Sequence, residues 1–157
     1  MRYHLIDRIV EVEPGKSLRA FKQLTLGEEY LADHFPTFPV MPGVLMLQAV
    51  VEAASWLVRL SNDYKPSVLV LREVKNAKYG TFFAPGQRMN VAVEQTTAGD
   101  GRFAFKGKGE VNGQTTVSTQ FTIAGYNLRD KNPGWATRDD ELIRSLRAHG
   151  DWLYGTR

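Results

Sequence analysis

The chain has 157 residues, 43% hydrophobic and 24% charged, with a net charge of +3 and no cysteine, a composition typical of one soluble globular domain. The missing cysteines exclude a disulfide framework, a thiolate metal site and a cysteine nucleophile, and three widely separated histidines give no sign of a metal centre. Because there is no dense Lys/Arg block and no charge-free apolar run of about eighteen residues, we expect no nucleic-acid partner, no membrane partner and a cytoplasmic protein.

The first part of the chain predicts a β-hairpin. Residues 5–12 read as a strand, and residues 17–26 alternate in part between apolar and polar side chains, as a half-buried strand does. Pro14 and Gly15, which favour turns, lie between the two runs. A loop rich in proline and aromatic residues follows over residues 34–43.

The long helical pattern before the tail covers residues 44–60. The residues are apolar almost all round, which is typical of a helix buried on most sides, and Pro42 lies just ahead of the start. The polar residues of this pattern fall at helical spacing and form one narrow stripe: Gln48, Glu52, Ser55 and Arg59. Gln48 and Glu52 are therefore expected one turn apart on the same face.

Four further strands are predicted after this helix, at residues 67–74, 88–96, 102–111 and 114–124, with Asn112-Gly113 as a two-residue hairpin turn. Two strands, one buried helix and four strands predict an α+β domain in which one antiparallel sheet wraps around the central helix. Because a single helix cannot cover six strands completely, we expect at least a dimer. Residues 1–125 would form this domain.

Residues 126–157 are interpreted as a C-terminal extension. Asn132-Pro133-Gly134 interrupts the strand pattern, and Thr137 is predicted to cap a short helix that ends near His149. The extension contains no motif associated with chemistry.

Three segments form an ordered set of motifs: LIDR at residues 5–8, HFPTFPVMPGVLMLQAVVEA at residues 34–53, and AKY followed by APGQ at residues 77–87. Together they resemble the β-hydroxyacyl-ACP dehydratases of the FabZ/FabA type. This resemblance implies a hot-dog fold, a homodimer or trimer of dimers, and no metal or redox cofactor. It implies dehydration of a 3-hydroxyacyl thioester carried by acyl carrier protein or coenzyme A, in fatty-acid or related lipid synthesis.

The resemblance also implies roles for individual residues. His34 would take the α-proton, a role that suits a histidine held in a loop beside a buried helix. Backbone N–H groups of Gly43 and Val44 would polarise the thioester carbonyl. Phe35 and Phe83 are candidates for lining an acyl tunnel, although aromatic residues around a buried helix are more often core.

The sequence departs from the family at the helix. Gln48 occupies the position where the family has a catalytic Glu or Asp supplied by the partner subunit, and a glutamine amide cannot deliver a proton. Glu52, one turn later, is the candidate substitute, with pairing to Arg59 or a neighbouring chain as its structural alternative. Thr37 also replaces the usual glycine after HFP.

These departures leave two other functions open. The first is a catalytically impaired hot-dog subunit that binds acyl thioesters or pairs with an active paralogue. The second is an acyl thioesterase, in which Glu52 would activate water, since one fold hosts several reactions.

Overall fold

Six antiparallel strands form one sheet in the order β1-β2-β4-β5-β6-β3. The computed structural model describes residues 4–155, so the outermost residues of the two predicted segments, 1–3 and 156–157, lie outside it. The strands are β1 (Arg8–Glu13), β2 (Ser17–Gln23), β3 (Val68–Tyr79), β4 (Arg88–Gly99), β5 (Arg102–Val111) and β6 (Gln114–Tyr126). The predicted α+β layout is confirmed.

The central helix lies against the inner face of this sheet. A one-turn helix, α1 (Tyr30–Asp33), precedes the long helix α2 (Gly43–Ser61). Helix α2 packs mainly against strands β2 to β6. Gly107 on β5 lets the helix approach, because a Cβ there would collide with Cγ1 of Val50. By length and composition alone α2 could cross a membrane, but 56% of that window is buried inside the fold, as in the core helix of a globular domain.

The turn between β5 and β6 has the backbone that its sequence predicts. Asn112 and Gly113 both have positive φ (50° and 78°), as a two-residue hairpin between β5 and β6 requires. Asp100 and Gly101 also have positive φ (51° and 69°) and form the turn between β4 and β5. These turns fix the register of β4, β5 and β6, three of the strands that contact α2.

Several predicted strand ends differ from the structure: β2 ends at Gln23 rather than at residue 26, and β4 and β6 continue to Gly99 and Tyr126. Strand β1 begins at Arg8 rather than Leu5, because Leu5 and Ile6 are buried in the core without pairing in the ladder. Strand β3 continues to Tyr79, five residues beyond the prediction, and pairs with β6 across two register shifts. The sequence pattern did not predict these extra residues, because an exposed edge strand lacks the apolar alternation that marks a buried one.

The C-terminal extension is more helical than predicted. After α3 (Leu128–Lys131) and a 3₁₀ turn (Pro133–Trp135), helix α4 runs over 19 residues, Ala136–Tyr154. The predicted cap at Thr137 is wrong, because the 3₁₀ turn leads directly into α4 and Trp135 occupies the cap position. Fully buried Asp139 attaches the extension to the sheet: it accepts hydrogen bonds from the Ser67 hydroxyl, the Leu128 N–H and Arg129.

Candidate active site

His34 lies on an exposed turn immediately before the central helix. It caps the C-terminus of α1 and is half-buried, with its ring 4.4 Å from that of Phe35. The next residues form a tight turn in which the Phe38 N–H donates to the Phe35 carbonyl at 2.8 Å. Phe35 takes a left-handed backbone (φ 49°), whereas Thr37 does not have positive φ, so the turn accommodates threonine at the position of the family's glycine.

The start of α2 supplies backbone N–H groups beside this turn. Pro42 is the cap residue, and no side chain caps the helix; the first N–H groups, from Gly43 and Val44, have no intrahelical acceptor. Gly43 also packs closely on β3, because a Cβ there would lie 3.1 Å from the Tyr79 ring. The close packing of Gly43 on β3 is thus compatible with a free N–H at the start of the helix.

Gln48 and Val44 lie on the exposed face of α2. Gln48 is exposed, and Val44, one turn earlier, is 67% exposed although it is apolar. Within residues 4–155, no hydrogen bond or ion pair joins His34 to Gln48 or to Glu52. A single chain therefore does not assemble the predicted catalytic residues into one contact network.

Glu52 has a different environment from Gln48, although both lie on the polar stripe. Its side chain is only 13% exposed; Oε2 accepts the Leu5 N–H at 2.7 Å, and Oε1 lies 3.8 Å from His4 Nδ1. Burial raises the pKa of the Glu52 carboxyl, although the Leu5 N–H and the nearby His4 act in the opposite direction. The carboxyl thus holds its proton to a higher pH than an ordinary glutamate.

The covering of Glu52 by His4 and Leu5 is a feature that the sequence analysis missed. Leu5 and Ile6 were assigned to a strand, and nothing in their alternation indicated that a backbone N–H would donate to a glutamate 47 residues away. The only available signal was the LIDR motif itself, which occurs near the start of the chain.

The predicted tunnel residues divide into two groups. Phe83 is fully buried in the core, and its carbonyl accepts the Met41 N–H at 2.8 Å, which holds the end of the His34 turn. Phe35 is exposed instead, as are Phe38 and Phe82, whose rings meet edge to face at 5.5 Å. Phe83 is thus part of the core of the chain and Phe35 lies exposed on the turn, and acyl-tunnel lining by either residue stays a prediction.

An exposed apolar surface surrounds these residues. It joins the His34 turn and the start of α2 to the outer edge strand β3, through the contact of Gly43 with Tyr79. Its exposed members are Phe35, Phe38, Val44, Val70, Leu71, Val74, Tyr79 and Phe82. Exposed apolar residues along the unpaired outer edge of a sheet are typical of an interaction site.

No metal cluster accompanies this site in the described part of the chain, and the groove found on the sheet lies away from it. Among residues 4–155, no three His, Cys, Asp or Glu side chains are grouped so that they could hold a metal ion. A groove of about 520 Å³ lies across the sheet at β2 to β6, where Arg19, Lys106 and Lys108 contribute to its lining, but neither His34 nor any residue of α2 does.

Sequence comparison places the chain among characterised proteins. Residues 1–120 match the family model described as FabA-like domain. The 3-hydroxyacyl-[acyl-carrier-protein] dehydratase FabZ of Dechloromonas aromatica is 35% identical over 127 residues, which cover 79% of this chain and 88% of that protein. The enzyme of the same name from Clostridium acetobutylicum is 33% identical over 119 residues, covering 76% and 84%.

Solved structures share the fold at low sequence identity. The dehydratase heterocomplex ApeI:P from Xenorhabdus doucetiae matches with a TM-score of 0.66 at 12% identity, over 80% of this chain and 84% of that one. Smu.793 from Streptococcus mutans UA159, bound to acetyl CoA, matches with a TM-score of 0.60 at 14% identity, over 80% and 92%. At these identities the likeness concerns the fold alone, and the predicted hot-dog fold is confirmed.

Proposed function

Because the chain belongs to the FabA-like family, we propose that it is a 3-hydroxyacyl-[acyl-carrier-protein] dehydratase of fatty-acid or related lipid synthesis. Its similarity to FabZ enzymes extends over most of both chains. The observation that carries the proposal is the position of His34, which lies half-exposed on a turn that leads into the N-terminus of α2. A base and a set of free N–H groups are two of the elements that this elimination needs.

The reaction removes water from a 3-hydroxyacyl thioester and forms the trans-2-enoyl thioester. His34 takes the proton from C2, and the electron pair of that C–H bond becomes the C2–C3 double bond. The C3–O bond breaks, and the hydroxyl group takes a proton and leaves as water. The N–H groups of Gly43 and Val44 stabilise the negative charge that develops on the thioester oxygen.

In this proposal Gln48 orients the leaving hydroxyl and Glu52 supplies its proton. The Gln48 amide can donate a hydrogen bond but has no acidic proton. Glu52 is the only carboxylic acid on α2, and its raised pKa is the property that a general acid needs near neutral pH. Its hydrogen bond from Leu5 engages Oε2 and leaves Oε1 for the proton.

The proposal includes a homodimer, alone or within a trimer of dimers, in which β3 and the exposed apolar surface form the interface. His34 of one protomer would then face α2 of the other, as the family resemblance implies. The exposure of Val44 and Gln48 supports this arrangement, because a ligand site on one chain alone would leave them in water. A cytoplasmic location belongs to the same proposal, since the one described helix that is both long and apolar enough to span a membrane is mostly buried.

The test is an ultraviolet assay of the interconversion of 3-hydroxyacyl and trans-2-enoyl thioesters, run on acyl carrier protein and on coenzyme A. We expect turnover by the wild-type chain and a loss of about 10²–10⁴ in rate for His34→Ala. A folded wild-type chain that binds acyl thioesters without turnover would instead indicate a binding subunit. Release of free thiol would indicate a thioesterase, because dehydration leaves the thioester intact.

A further inference from the structure

A lysine lies in the core-facing row of β2. Leu18, Ala20, Lys22 and Leu24 alternate inward, and all four are buried, with the Lys22 side chain only 5% exposed. A buried ammonium group is unfavourable unless acidic partners surround it. Apolar side chains in place of a buried ion pair often give equal or greater stability. Stability alone therefore does not explain a lysine at this position.

Two carboxylates from different parts of the chain meet this lysine. Lys22 Nζ lies 2.5 Å from Glu28 Oε1 and 3.4 Å from Asp7 Oδ1. Asp7 comes from the LIDR motif, and its second oxygen accepts the Gln23 N–H at 2.6 Å. The buried Tyr30 hydroxyl lies beside Glu28 without a hydrogen bond of standard geometry to any residue in the described range.

The ion pair holds one end of the segment that carries His34. Residues 25–29 are exposed except for Glu28, which is half-buried, and within residues 4–155 no other side chain of this stretch forms an ion pair with the rest of the protein. Buried Leu31 follows in α1, three residues before His34. The far end is held separately by buried Val40 and by the hydrogen bond from Met41 to Phe83.

Between these anchors the segment has little support of its own. Residues 32–39 are exposed or half-buried, and the hydrogen bond within their turn is the one from Phe38 to Phe35. The location of the His34 imidazole therefore depends on the two ends. A base displaced by about 1 Å can lose much of its effect on rate.

We propose that Lys22, with Asp7 and Glu28, is a positioning group that fixes the His34 segment for catalysis. This inference rests on the proposed dehydratase function, since it assigns the work of the cluster to the orientation of the base. Lys22 itself does not touch the substrate; it acts through Glu28 and the short helix α1.

The experiment compares the double variant Lys22→Met/Glu28→Gln with the wild-type chain. Both substituted side chains are neutral, so no unpaired ammonium group stays in the core. We expect kcat to fall about tenfold or more while KM changes by less than about twofold, since positioning acts on the transition state. The melting temperature should stay close to that of the wild type, because the cluster contributes little net stability.

Backbone amide exchange gives a readout that does not depend on activity. In the variant, amides of residues 25–39 should exchange faster, while those of α2 and the β2–β4 ladder keep their protection. The matched control is Lys16→Met/Glu13→Gln, which removes an exposed pair of the same residue types at the β1–β2 turn. The control should leave kcat and exchange over residues 25–39 unchanged.

The outcomes separate the two proposals. Unchanged exchange over residues 25–39 would overturn the positioning role, and so would unchanged kcat in an active enzyme. If the double variant does not fold, Glu28→Gln alone serves the same comparison, because Lys22 keeps Asp7 as a partner. If the wild-type chain has no dehydratase activity, the proposed function fails, and the exchange data still decide whether the cluster orders the segment.

Discussion

Glu52 carries the only carboxylic acid on the central helix, and its proton is central to the proposed reaction. Replacing it with glutamine removes the proton but keeps an oxygen that can accept the Leu5 N–H. We therefore expect Glu52→Gln to lower kcat by about 10²–10⁴ with little change in melting temperature. The exposed Glu141→Gln on α4 is the control; full activity in Glu52→Gln would show that Glu52 only ties down the N-terminal segment.

The buried carboxyl of Glu52 also makes stability depend on pH. Burial raises its folded-state pKa above the ordinary value of 4.5. At a pH between 4.5 and the raised pKa, the folded chain therefore holds a proton that the unfolded chain has lost. Its contribution to stability is thus greatest below pH 4.5 and decreases as the pH rises through the raised value. Thermal unfolding from pH 4 to 8 should show the wild type losing stability relative to Glu52→Gln; a constant difference would contradict the assignment.

The sequence located these residues better than it described their surroundings. His34 and the helix stripe with Gln48 and Glu52 followed from motif and helical spacing, and the structure has all three on the predicted elements. The covering of Glu52 by His4 and Leu5, and the meeting of Lys22 with Asp7 and Glu28, are long-range contacts. Local periodicity cannot encode them, because it reports which face of an element is apolar and not what packs there.

At the scale of elements, the approach of α2 to the sheet depends on a glycine on β5. A methyl group at Gly107 would collide with Val50 and also press on Val93. We expect Gly107→Ala to lower the free energy of unfolding by about 1–3 kcal/mol, the usual range for overpacking a core.

Gly99 provides the matched control for this substitution. Gly99 is also a strand residue, the last one of β4, and a Cβ there would meet no atom within 4 Å. Urea unfolding of Gly99→Ala should give nearly the wild-type midpoint. Equal effects at the two glycines would mean that helix–sheet contact does not limit the space at Gly107.

Element prediction succeeded where side chains are buried on one face and failed where they are not. Strand β5 and the extent of α2 follow the hydrophobic pattern to within a residue. The far half of β3 and the full length of α4 were missed, because both carry mostly exposed or half-buried residues. The extent of β3 is set by its pairing with β6, which is a tertiary contact, and α4 continues to the left-handed cap residue Gly155.

At the scale of the whole molecule, the two edges of the sheet differ in what they expose. Strand β3 is 12 residues long and carries four exposed large hydrophobic residues, Val70, Leu71, Val74 and Tyr79, whereas β1, at the other edge, has six residues. If β3 forms the dimer interface, Val74→Lys should give folded monomers with little activity, because a charge there opposes association. Sedimentation would measure this.

Val10→Lys is the control for the interface, since Val10 is an exposed valine on β1 at the opposite edge. This variant should keep the wild-type sedimentation and activity. If dimers persist with Val74→Lys and dissociate with Val10→Lys, the interface lies at β1 instead of β3. In that case there is no reason to place α2 of one protomer beside His34 of another.

The most direct test of a dehydratase site shared between protomers is complementation of two inactive variants. His34→Ala and Glu52→Gln chains are mixed in equal amounts, unfolded, refolded together and assayed for dehydration, with each variant refolded alone as the control. Random pairing gives one intact site in half of the dimers, so about a quarter of the wild-type activity should return. No recovery from a mixture shown to contain mixed dimers would contradict the shared site.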